Sequence, residues 1–240
     1  MRRIFRLTAA AIVLGATIAP DSALADQIEL GATHSPLVAP VCPPGVSSSN
    51  CTIILTRVTA LQTLRDGAAY PTRVTKPGRI VAFTVGLSAL STNKSTQKSF
   101  IHFLDATYGG TARLGITVLA PIGKRTQWQW QVVAESPIYH VQPYLGTVVQ
   151  IPLETSIEVK PGEVIALTTP TWAPVLTIDL PSKKFAYRQS RKANCSSPPA
   201  SSQAQLTLKQ TTSYSCNYPG TRLEYSATEL TYPLGSAPIH

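Results

Sequence analysis

Apolar residues recur at every second position over much of this chain. Val81, Phe83 and Val85 alternate with Ala82 and Thr84, and Leu114, Ile116 and Val118 alternate with Arg113, Gly115 and Thr117. The same spacing is found at Leu176, Ile178 and Leu180, at Ala204, Leu206 and Leu208, and at Leu223, Tyr225 and Ala227. A period of two turns one set of side chains to a core and the other to water, so each run predicts a half-buried strand. Residues 53–59, 99–104, 127–134, 146–151, 155–159 and 163–168 are further strand candidates. No stretch joins apolar residues at helical spacing to capping residues, so no helix is expected.

Turn chemistry separates these runs. Pro77-Gly78, Gly109-Gly110, Pro161-Gly162 and Pro219-Gly220 combine a preset φ with permissive glycines. Within residues 157–167, Lys160-Pro161-Gly162 predicts a tight turn between two strands. Roughly ten short strands punctuated in this way predict an all-β fold, an antiparallel β-sandwich of jelly-roll type.

The first 25 residues stand apart from that pattern. Arg2, Arg3 and Arg6 precede an apolar run from Leu7 to Ala19, and Ala23-Leu24-Ala25 supplies a small-x-small cleavage site. This is the order of a secretory signal, and its apolar run is too short to span a bilayer. Cleavage between Ala25 and Asp26 is expected, which makes the mature protein extracellular. Residues 26–50, rich in Ala, Pro and Ser, read as an irregular lead-in to a single domain over 51–240.

Removing the signal takes three of the 21 basic and one of the 12 acidic residues, leaving 18 against 11, a formal charge of +7. A basic balance favours anionic partners. The four cysteines all lie in the mature part, and an even number in an exported chain implies disulfides. Spacing favours two local bridges, Cys42–Cys51 and Cys195–Cys216, each closing a Ser/Pro-rich segment. Zinc is a poor alternative, because the chain has neither Cys-x-x-Cys nor a nearby histidine pair. No metal or other cofactor is expected.

A signal, a cysteine-closed loop, a sandwich and a late Val-Lys-Pro-Gly-Glu-Val-Ile-Ala-Leu unit together resemble exported jelly-roll proteins of unknown function from high-GC Gram-positive bacteria. The resemblance implies a fold and a compartment, and it carries over no functional residue.

Two segments are candidates for binding. In Gln127-Trp128-Gln129-Trp130-Gln131, strand alternation places both indoles on one face and the three glutamines on the other. An exposed face would make a sugar-stacking platform with amides beside it, whereas an inward face would make the same residues core. Trp172, between Pro170 and Pro174, is the candidate for a lone exposed aromatic on a loop, with covering the end of the sandwich as its other role. The run from Lys183 to Lys192 holds five positive charges, with Phe185 and Tyr187 between them. It can bind phosphates, with Lys183, Lys184 and Arg188 as anion ligands, or form an edge strand protected by lysine. After export no nucleic-acid partner is expected, and no membrane-spanning segment follows the signal.

Catalytic residues do not stand out. His34, His102, His140 and His240 are scattered, and His102 falls on the strand candidate 99–104 as a core histidine. Asp105, Glu135, Glu154, Glu158 and Glu163 form no recognisable pair, since carboxylate separation decides glycosidase chemistry. The expectation is an exported non-catalytic binding module for carbohydrate or an anionic cell-wall polymer. A structural protein of the cell surface and a hydrolase on the same fold are the alternatives.

Overall fold

The computed structural model describes residues 25–46, 51–123 and 128–233. Nearly all of the expected signal peptide, Gln127 of the tryptophan motif and His240 lie outside the described residues. The strands, in chain order, are β1 Gln27–Leu30, β2 Leu55–Arg65, β3 Ala68–Ala69, β4 Gly78–Gly86, β5 Arg113–Ile122, β6 Gln129–Glu135, β7 Tyr139–His140 and β8 Val148–Val159. They continue with β9 Val164–Ala173, β10 Leu176–Thr177, β11 Ala186–Gln189, β12 Thr211–Ser213, β13 Cys216–Pro219, β14 Arg222–Leu223 and β15 Tyr225–Thr231. One helix, α1, spans Lys94–Tyr108.

The strands form an antiparallel sandwich. A four-stranded sheet in the order β1-β15-β4-β8 faces a nine-stranded one in the order β12-β6-β5-β9-β2-β11-β13, with β3 beside β2 and β7 beside β5. Ile80, Phe83, Val85, Tyr225 and Ala227 from the small sheet meet Val58, Leu114, Ile116, Val118, Ile165 and Leu167 from the large one in the main core. The large sheet is also covered on its other face. There Leu61, Leu119, Trp130, Val132, Val164, Ala166 and Tyr214 form a second apolar cluster. Beside it, Thr117, Thr168 and Thr59 join hydroxyls across β5, β9 and β2 at 2.6 and 2.7 Å. Cover on both faces explains why β9 is buried at almost every position instead of alternating.

Several expectations need correction. Residues 99–104 are part of α1 rather than a strand. The Asn93 side chain accepts from the Thr96 N–H at the N-cap, and Gly109, at φ 83°, closes the C-terminus. Ile101, Leu104 and Tyr108 share the helix face that packs on the core, while His102 and Phe103 are exposed. Residues 204–208 form no ladder, and their polarity is inverted. Gln205 is fully buried, its N–H donating to Thr59 Oγ1 at 2.9 Å and its carbonyl oxygen accepting from the Tyr214 hydroxyl, and this turns Leu206 and Leu208 outward.

The 176–180 run pairs only at Leu176–Thr177 and ends before Asp179, which sits at φ 62°. The Lys160-Pro161-Gly162 turn is present, but β8 and β9 belong to different sheets, so it turns a corner between layers and makes no hairpin. The 26–50 lead-in contributes β1, whose residues 27–30 pair with 227–230 of β15. β11 is not an edge strand, because β2 and β13 flank it.

Both expected disulfides are present, Cys42–Cys51 and Cys195–Cys216. Among the described residues no helix is long and apolar enough to cross a membrane.

The segment after β1 is strapped down by buried charge. Arg65 and Arg222 both donate to the Ser35 carbonyl, and Arg222 also donates to that of Pro36. Arg222 pairs with fully buried Glu224 at 2.9 Å, and Glu224 accepts from the Val38 N–H and the Thr177 hydroxyl. A Cβ on Gly86 would lie 1.9 Å from the Val38 carbonyl oxygen, so glycine is what lets the strap approach β4.

Candidate functional site

β6 does not extend back to Trp128, which sits at φ 50° just before the strand, with its carbonyl accepting from the Tyr214 N–H at 2.8 Å. The Tyr214 carbonyl in turn accepts from Arg188 Nη1 at 3.0 Å, as does that of Ser215. Tyr214 is wholly buried in the second cluster, so one fixed backbone position holds both partners. The result is a stacked pair, with the Arg188 guanidinium carbon 3.6 Å from the Trp128 ring centre.

Trp130, two residues on, is 4% exposed and packs on Tyr70, ring centres 6.0 Å apart and planes tilted by 47°. Tyr70 leaves β3 at φ 48°, and the Tyr70 carbonyl accepts from the Arg73 N–H in a tight turn. The turn sets the Arg73 guanidinium 5.4 Å from the Tyr70 ring centre. Tyr70, Arg73, Trp128, Gln129 and Trp130, with the end of β5 at Pro121–Gly123, line a cleft of about 260 Å³.

The polar groups of this cleft are unevenly satisfied. The Trp130 indole N–H and Arg73 Nε are buried without an acceptor. Burial pushes the Arg188 pKa down, and Tyr70 opposes that shift. Neither arginine has an ion-pair partner among the described residues.

The residues singled out from the sequence are only partly brought together. Trp128 and Trp130 line the cleft, although Trp130 is mainly core, and Arg188, whose guanidinium covers one face of Trp128, is not among the lining residues. The pair is therefore no flat platform on a strand face. Gln129 is exposed at the cleft, and Gln131 donates to the Lys209 carbonyl at 3.3 Å.

Trp172 is not an exposed loop aromatic. It lies in β9 with no exposed surface, and its indole N–H donates to Asp105 Oδ1 and the Gly110 carbonyl at 3.0 and 3.1 Å. It ties α1 to the large sheet and offers no face for a ligand.

Lys183 and Lys184 are exposed in the turn before β11 and are not among the cleft residues, so the basic run does not act as one patch. Arg191 is buried and donates to the Asn194 carbonyl, with Lys192 in a separate groove beside the Cys195–Cys216 loop. Tyr187 and Tyr218 stack on each other at 4.8 Å.

Two of the scattered acids serve the fold. Asp105 holds Trp172, and Glu163 accepts from the Lys160 N–H at 2.7 Å. Burial pushes the Asp66 carboxyl up, but hydrogen bonds from Thr33 and Ser35 and the charge of His34 outweigh it and hold the pKa below the usual range. His102 and His140 are exposed, and His34 stands 3.3 Å from Asp66. No group of three metal-ligating side chains occurs among the described residues.

Tyr70 and Arg73 are the site residues that sequence reasoning missed. They follow a two-residue strand and belong to no periodic run, so only a Pro71-centred turn marks them. No protein-family model matches the chain, and no curated protein or solved structure matches it either.

Proposed function

We propose that this protein is an exported, non-catalytic binding module of the cell surface, and that the cleft between Tyr70, Trp128 and Trp130 holds one sugar ring of a polysaccharide. The observation behind this reading is the convergence of three aromatic side chains and an exposed amide, Gln129, on a cleft of about 260 Å³. Pyranose C–H groups stack on aromatic faces, and amides bond the ring hydroxyls. A small, mostly apolar recess with a few polar groups is the usual form of a small-ligand site. Export is supported by the basic and apolar leader with its Ala-Leu-Ala site and by two disulfides, which persist in oxidising compartments.

The test is retention of the mature protein on insoluble polysaccharides and purified bacterial cell wall. Retention that survives high salt and is lost in Trp128→Ala is the expected result. If every saccharide and wall preparation fails to retain the protein, the reading is wrong.

A further inference from the structure

We propose that the cleft selects saccharides bearing an anionic group, a carboxylate or a phosphate, held by Arg73 in its lining, with Arg188 stacked on Trp128 beside it. This rests on the reading of the cleft as a sugar site and narrows its ligand.

Where the fold uses arginine structurally, it supplies acceptors to the terminal guanidinium nitrogens, although Nε of Arg65 and of Arg222 has no partner among the described residues. Arg222 has Glu224 and two carbonyls, and Arg65 donates to the carbonyls of Tyr225 and Ser35. At the cleft it does not. The Arg73 side chain has no hydrogen-bond acceptor among the described residues, and its guanidinium lies 5.4 Å from the Tyr70 ring centre. Arg188 spends Nη1 on two main-chain carbonyls, leaving Nη2 and Nε without acceptors among the described residues.

No aspartate or glutamate is among the described residues that line the cleft. The cleft therefore offers the positive charge of Arg73, and the buried Trp130 N–H has no acceptor among the described residues. Each guanidinium also lies over an aromatic ring, at 5.4 Å for Arg73 and 3.6 Å for Arg188, and a guanidinium fork suits a flat or tetrahedral oxyanion. A neutral sugar would use the rings and waste both cations. A uronic acid residue or a phosphate-linked sugar would use all of them.

The experiment is calorimetric titration of the mature protein with three probes: oligogalacturonate, the same oligomer as its neutral methyl ester, and a poly(glycerol phosphate). One or two charge-assisted hydrogen bonds predict that an acidic probe binds about tenfold or more tightly than the ester. Arg73→Gln should remove that preference while keeping the weak binding of the ester, and Arg188→Lys should reduce it. Since Arg188 also supports Tyr214, Arg73→Gln is the deciding variant. Tighter binding of the uronate assigns a carboxylate source, and tighter binding of the phosphate polymer assigns a phosphate source. Equal binding of acid and ester overturns this proposal and leaves the sugar cleft standing. If none of the probes nor any cell-wall saccharide binds, the cleft reading fails and this one with it.

Discussion

The Arg188 guanidinium lies 3.6 Å from the centre of the Trp128 ring, and the backbone of Tyr214 holds both residues there. Two segments far apart in sequence thus meet through a third that is fully buried. The stack leaves Trp128 at the rim of the cleft, half-buried, with Trp130 behind it in the second apolar cluster.

The two tryptophans should therefore respond differently to truncation. Trp128→Ala removes a partly exposed cation–π contact and is expected to cost about 0.5–2 kcal/mol. Trp130→Ala opens a void in packed surroundings and should cost about 3–5 kcal/mol. Urea unfolding of the two variants measures this, and a larger loss for Trp128 would show that Trp130 is not core.

Trp172→Phe keeps most of the volume and removes the indole N–H shared by Asp105 and Gly110. A loss of about 1–3 kcal/mol is expected, because buried acceptors lose their donor. Faster amide exchange should appear in α1, which this bond ties to β9. Unchanged exchange across 94–108 would mean that the helix is held by its apolar face alone.

Glu229 has no exposed surface, and neither carboxylate oxygen has a hydrogen-bond partner among the described residues. Burial pushes its pKa up, opposed by the charge of Lys76. The folded state thus favours the protonated form. Below the ordinary glutamate range both states are protonated and no penalty exists. As pH rises, the unfolded chain loses its proton first, and this contribution to stability falls until the folded group ionises as well. Glu229→Gln should therefore be more stable than the parent near neutral pH, with the difference shrinking toward pH 4. A constant difference between pH 4 and 8 would show that Glu229 does not titrate in this way.

Arg222→Met leaves Glu224 buried without its cation. The expected cost near neutral pH is about 3–5 kcal/mol, and limited proteolysis should cut the strap at 33–40 first. Burial already pushes Glu224 up against the pull of Arg222 and Thr177. Losing the arginine pushes it further, so the deficit should diminish as the pH falls and the carboxyl takes a proton. Thermal melts at pH 4.5 and 7.5 would reveal the difference.

Much of the sheet was legible because β4, β5 and β15 present alternating residues to a single large core. The helix was not, because Phe100, His102 and Leu104 mimic a strand face, whereas the real apolar line is Ile101, Leu104 and Tyr108. Asn93 and Gly109, its caps, were visible as residues but not as a pair with the 15 helix residues between them. Leu206 and Leu208 misled in the opposite sense. Their segment is anchored by the buried polar Gln205, and polar anchoring leaves no trace in an apolar period.

By itself the sequence determined strand periodicity and the local pairing of the cysteines, and it pointed to Trp128 and Trp130, which line the cleft. All of these follow from chemistry carried within a few neighbouring positions. Tertiary structure alone decided that Trp172 is interior, that β11 is flanked on both sides, and that Tyr70 and Arg73 complete the cleft. Alternation says which side chains share a face but not what lies over that face. Here the large sheet is covered on both sides, so inward and outward residues look equally apolar until the fold places them.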